Sequence, residues 1–131
     1  MALLSKLEIL AANDLKFEDV DAPEWGGTVR IQAISGAARD SFEDSLFSGI
    51  GAARKQDLSN VRAKLVACVM VDESGSRIFT DADVMALGAK SASALGRCFD
   101  VAQRLNGMSS EIKAELGNVS DVALSDGSIS A

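Results

Sequence analysis

Two cysteines, Cys68 and Cys98, are the strongest nucleophiles available, and the sequence contains no histidine and no tyrosine. The commonest general base and metal ligand is therefore missing, and a Cys–His dyad has no second member. Each cysteine stands in an apolar stripe at helical spacing, Cys68 beside Leu65 and Val69, Cys98 beside Leu95 and Phe99. Free thiols in such surroundings are ordinarily core packing. Neither cysteine has a Cys or His neighbour at zinc or redox spacing, and so few thiols suit a reducing compartment. No catalytic residue, metal ligand or cofactor is expected.

Asp72, Ser74, Ser76 and Asp83 stand in the register of an EF-hand loop, with Phe79 near its apolar position. Arg77, however, takes the place of the glycine that makes the sharp turn, and Asp83 the place of the bidentate glutamate. A turn followed by an N-capped helix explains the same residues, which leaves a metal-dependent regulator built on Asp72–Asp83 as an alternative reading. Gly26, Gly27, Gly49 and Gly51 lack the spacing and the following Lys-Ser/Thr of a phosphate-binding loop. The carboxylates of Glu18, Asp19, Asp21 and Glu24 cluster along the chain as an acid–base pair would require, or as an ordinary solvated face. Such a face makes an acidic adaptor or inhibitory protein-binding module a further alternative.

Trp25 is the lone tryptophan, set between Glu24 and Gly26-Gly27 outside any periodic stripe. It is either folded over the core or offered to a partner as an anchor. Arg54, Lys55, Arg62 and Lys64 form the basic stretch of an acidic chain, suited to an acidic partner helix or to a solvated face. Trp25, Glu24, Arg54, Lys55, Arg62 and Lys64 are the candidate partner-binding residues.

The elements that position these residues come from a chain of 131 residues, 47% hydrophobic and 24% charged, the arithmetic of one globular domain. A net charge of −6 disfavours approach to a phosphate backbone, so nucleic acid is not expected as a partner. No apolar run reaches membrane-spanning length, and the N-terminus carries Glu8 and Asp14 in place of a basic region and apolar block. A soluble, unprocessed chain without a membrane partner is expected.

Ser5 and Glu8 have capping-box spacing, and Leu3, Leu7 and Leu10 share one helical face, which predicts a short helix ending near Asn13. Lys16–Val20 and Thr28–Gln32 alternate polar with apolar and predict a hairpin with a wide loop holding the only proline. Ser35 caps a helix running to Phe47 with Ala38, Phe42 and Leu46 inward. Residues 52–57 show no period and are expected as a loop or mobile extension. Leu58 to Val71 predicts the central helix, and Asp72–Gly75 a turn. Arg77–Phe79 reads as an extended piece, and Thr80–Asp83 as a cap for a short helix ending at Gly88. Ser91 opens a long helix closed by Asn106-Gly107, and a last short helix is expected over 109–116. The fold class is a single, mostly helical α+β domain over residues 1–116, with an N-terminal β-hairpin and a disordered polar tail over 117–131.

The segments Ala22-Pro23-Glu24-Trp25-Gly26-Gly27-Thr28-Val29-Arg30-Ile31, Ser35–Asp40, Val71–Val84 and Ala102–Gly107 resemble the small tail assembly chaperones of long-tailed, lambda-like bacteriophages. The resemblance runs to about Leu116. It implies a non-enzymatic protein of the host bacterial cytoplasm, absent from the mature virion, that binds and solubilises the tape measure protein and promotes tail tube polymerisation around it. It also implies a longer frameshifted product whose extra domain meets the tail tube protein, the present chain being the short form, diverging from Gly117. A chaperone for a long helical client needs many weak, repeated contacts, so a homo-oligomer in an open head-to-tail array is expected, with the Trp25 loop and the 54–64 region as its two patches.

Overall fold

Ser5 starts the first helix by a local exchange of hydrogen bonds. Its hydroxyl accepts from the Glu8 amide, and the Glu8 carboxylate accepts from the Ser5 amide at 2.8 Å. In this computed structural model, which describes residues 2–108, that capping box begins α1 (Lys6–Ala11). β1 (Phe17–Ala22) and β2 (Gly27–Gln32) then pair antiparallel, with Val20 opposite Val29 and Ala22 opposite Gly27. The hairpin is tighter than the wide loop expected. Pro23–Trp25 make one turn of 3-10 helix, Gly26 reverses the chain at φ 80°, and Gly27 already belongs to β2.

The Ser35 hydroxyl caps α2 (Gly36–Asp44), which ends before Leu46 because the Ser45 hydroxyl turns back to the Phe42 carbonyl. The stretch expected as a loop is a small β arm. β3 (Phe47–Ser48) pairs with β4 (Lys55–Gln56) around a turn at Gly51–Ala53, with Gly49 and Gly51 in the left-handed region. Short-range pairing of this kind leaves no apolar period, because both arm strands are exposed.

α3 (Val61–Val69) is shorter than expected and buried almost all round: Val61, Ala63, Leu65, Val66, Ala67 and Val69 are all inaccessible to water. Met70 and Val71 leave it as β5, which pairs with β2 to complete a three-stranded sheet in the order β1-β2-β5. A backbone bridge from Val71 to Arg77 folds the next segment alongside β5. The Thr80–Asp83 capping box follows, then α4 (Val84–Gly88). α5 (Ala92–Leu105), capped by Ser91 and ended at Gly107 in the left-handed region, lays Leu95, Cys98, Phe99 and Ala102 against α3 and the hairpin. The core thus sits between the sheet and α2, α3 and α5. Among the described residues no helix is long and apolar enough to cross a membrane. The helix expected at 109–116 and the tail expected at 117–131 lie outside the described residues.

Candidate functional site

Position disfavours the thiolate at both cysteines. Burial pushes the Cys98 thiol up, with fully enclosed walls around it, and burial likewise raises Cys68 despite the nearby Arg77. The Asp72–Asp83 segment is occupied by its own turn. Asp72 Oδ1 accepts from the Ser74 and Ser76 amides and the Ser74 hydroxyl, which holds its carboxyl below the usual range. Asp83 meanwhile caps Thr80. Among the described residues no three Asp, Glu or Cys side chains converge as a metal site.

The hairpin carboxylates are divided between two faces and largely neutralised. Asp19 pairs with Arg30 at 2.8 Å on the outer face, where the Arg30 guanidinium also lies 3.9 Å from the centre of the Phe17 ring. Glu18 meets Arg104 at 2.9 Å and Glu24 meets Arg97. Arg97 and Arg104 stand two turns apart on α5, hence on one face, and clamp the strand and its turn to that helix. The hydrogen bonds from these arginines hold the Glu18, Asp19 and Glu24 carboxyls below their ordinary range. Neither the acid–base pair nor a bare acidic docking face is assembled here.

The turn so clamped presents Trp25, half-buried, with part of its ring against the core and part at the mouth of a groove. The groove, about 350 Å³, is walled by Trp25, Val29, Met70, Ile78, Phe79 and Leu87, with Asp83 and Lys90 on its rim. Its position follows from local structure. The Ile78 amide donates to the Met70 carbonyl at 3.1 Å, which holds Ile78 and Phe79 beside the sheet, and the capping box starts α4 at the angle that brings Leu87 down. Ile78 remains 49% exposed. A larger cleft, about 450 Å³, separates α2 from α3, but its cations serve the fold: Lys64 Nζ donates to the Ser45 carbonyl at 2.8 Å, and Arg77 Nε to the Ala67 carbonyl at 2.9 Å.

The other candidate residues do not converge. Arg54 lies on the β arm, paired with Asp44 at 2.6 Å and stacked 4.9 Å from the Phe47 ring centre, with exposed Lys55 beside it and Ile50 at the tip, 91% exposed. Arg62 leaves α3 toward α5, over the Phe99 ring, whereas Lys64 leaves toward α2. Sequence reading placed Trp25 and Glu24 together, as observed, and passed over Ile78, Phe79 and Leu87. The available signal was Ile78, a β-branched apolar residue next to a polar turn.

A family model for the phage tail assembly chaperone matches residues 6–116, most of the chain. The chain belongs to the phage tail assembly chaperone family. The solved structure of the bacteriophage HK97 tail assembly chaperone is similar in fold to this chaperone, with a TM-score of 0.51 over 76% of this chain and 95% of that one, at 18% sequence identity. No curated protein matches the chaperone in sequence. Family membership implies protein partners in tail assembly, and the Trp25 groove is an apolar concavity on the surface of the described residues.

Proposed function

We propose that this chaperone binds and solubilises the tape measure protein by taking apolar side chains of a helical segment into the Trp25 groove. Several copies distribute along the client until tail tube subunits displace them. The observation that carries the reading is the groove itself: on an acidic molecule it is concave, about 350 Å³, and almost wholly apolar within, the kind of surface that receives the i, i+4 and i+7 side chains of an amphipathic helix. A half-exposed Trp held at its mouth has the character of an interface anchor. The role is non-enzymatic, exercised in the host cytoplasm before the virion is complete. Contact with the tail tube protein is left to a longer frameshifted product.

The test is co-expression with the tape measure protein encoded beside this chain, followed by size-exclusion chromatography with light scattering. A soluble complex holding many copies of the chain per client is expected. Precipitation of the tape measure protein with the chaperone left free would overturn the reading.

A further inference from the structure

The cleft between α2 and α3, about 450 Å³, is lined by two kinds of residue. Ala38, Phe42 and Val84 make part of it apolar, while Lys64 and Arg77 bring positive charge, with the Asp81 carboxylate beside them. Lys64 gives one N–H to the Ser45 carbonyl, and Arg77 gives Nε to the Ala67 carbonyl and one Nη2 hydrogen to Asp81. An ammonium has three N–H donors and a guanidinium five, so among the described residues both keep donors to spare. The bonds they do make hold those donors in place. On a chain of net charge −6, such a cleft is the complement of a segment that is acidic and apolar at once.

The chain carries a segment of that kind. Residues 109–131 hold Glu111, Glu115, Asp121 and Asp126 against Lys113, and Val122 and Leu124 stand between the last two carboxylates. We infer that residues 119–126 dock in the cleft between α2 and α3 of the same molecule, with Val122 and Leu124 against Ala38, Phe42 and Val84, and the Asp121 and Asp126 carboxylates on Lys64 and Arg77. The volume suits this occupant, since about 450 Å³ is three times the roughly 150 Å³ that accepts one benzene ring in an engineered apolar cavity.

The place where the described chain stops selects its own segment over a foreign one. Arg39 Nη1 donates to the Asn106 carbonyl at 3.2 Å, and the Ile34 amide donates to Asn106 Oδ1 at 2.8 Å, so the end of α5 is pinned to the start of α2. The chain after Met108 therefore leaves beside the helix whose Ala38, Ser41, Phe42 and Ser45 wall the cleft. α2 is about 14 Å long and about 10–12 Å across. The ten residues 109–118 can span up to about 33 Å, enough to round that helix without strain. A short tether also holds its segment at an effective concentration on the order of millimolar, well above that of a free partner. With the segment seated, the cleft is closed to acidic segments of other proteins, and the contact is independent of the client groove at Trp25.

Cys68 lines this cleft and is half-buried, so its alkylation reports whether the cleft is covered. Three full-length chains are compared: wild type, Asp121→Asn/Asp126→Asn, and Val122→Ser/Leu124→Ser. Each is treated with iodoacetamide at pH 8 and labelling of Cys68 is followed by peptide mass spectrometry, with the enclosed Cys98 in the same sample as the check that the domain stays folded. Both variants should label Cys68 about tenfold faster than wild type, and the wild-type rate should not change on dilution. The serine variant keeps every charge, so its acceleration has no source in an altered ionisation of the thiol.

Wild-type rates in both variants overturn the inference; docking at the separate cavity beside Arg62 and Lys90, which Cys68 does not line, would give that result. Acceleration in the asparagine variant alone assigns the effect to charge near the thiol and overturns it as well. Acceleration in the serine variant alone removes Lys64 and Arg77 as the cradle, which refutes the docking as stated. Protection that fades on dilution places the segment of a second copy in the cleft and overturns docking within one molecule. Capture of the tape measure protein keeps its own co-expression test and is untouched by any of these results.

Discussion

Gly26 and Gly27 are neighbours in sequence and should respond to the same substitution with opposite signs. At both positions an added Cβ would find no heavy atom within 4 Å, so packing does not separate them. Backbone conformation does. Gly26 closes the Pro23–Trp25 turn at φ 80° and ψ 21°, left-handed backbone that costs an alanine ~1–2 kcal/mol. Gly27 is extended in β2, paired with Ala22, where alanine restricts the unfolded chain without strain and stabilises by ~0.4–1 kcal/mol. The two variants should therefore differ by ~2 kcal/mol, or ~6–10 °C in Tm for a domain of this size. Urea unfolding with an unchanged m value is the assay, since the surface exposed on unfolding is the same. Gly26→Asn should fall between Gly26→Ala and wild type, because asparagine tolerates left-handed backbone. If Gly26→Ala were neutral, or if both alanines shifted stability the same way, the turn would not have the conformation described, and the account of how Trp25 is presented would fail with it.

Further outcomes follow from the core, the groove and the ion pairs. Leu65→Ala, fully enclosed at the centre of α3, should cost ~2–5 kcal/mol by thermal or chemical unfolding, and a loss below ~1 kcal/mol would contradict its placement. Trp25→Ala should cost ~1.5–2.5 kcal/mol, about half the penalty for a wholly buried ring, and abolish capture of the tape measure protein. Ile78→Ser should abolish capture at under ~1 kcal/mol. Undiminished capture by Ile78→Ser would remove the groove from the mechanism.

Cys98 should resist iodoacetamide at pH 8 until the chain unfolds, because burial raises its thiol and keeps it protonated; prompt labelling of folded protein would refute this. Glu24 should titrate below the ordinary glutamate range by NMR and rise toward it in Arg97→Gln, the hydrogen bond from its own backbone amide remaining. Its folded value is depressed, so the pair's contribution is present above the unfolded pKa and fades as pH falls through the folded one; an unchanged Glu24 titration in Arg97→Gln would show that the pair does not form.

The extent to which the sequence was legible differs between elements for definite reasons. Ser5, Ser35 and Ser91 mark their helix starts within a residue, and Thr80 marks the 3-10 turn Asp81–Asp83 that leads into α4, because capping is an exchange between groups three positions apart. α5 was equally plain, since one face meets the core and the other meets water. α3 was placed but read too long, because its last residues leave as β5. The arm at 47–56 was missed as structure: its strands are two residues each and bury nothing, so they leave neither alternation nor period. The carboxylates of the hairpin looked like a field of negative charge until α5 supplied Arg97 and Arg104 from more than seventy residues away in the chain.

The sequence by itself determined the local parts: the caps, the hairpin and its left-handed turn, the amphipathic faces, and the lack of a histidine to pair with either cysteine, which composition alone dictates. These depend on residues within a few positions of one another, where chemistry and spacing suffice. Only the tertiary structure decided that Trp25, Ile78, Phe79 and Leu87 share one groove while Arg54, Arg62 and Lys64 point three different ways. Only it showed that the leucines of α1, whose spacing promised a packed face, pack on nothing in their own domain. Which apolar stripe is covered, and by what, depends on contacts between distant segments and between molecules, and periodicity along one chain carries no information about them.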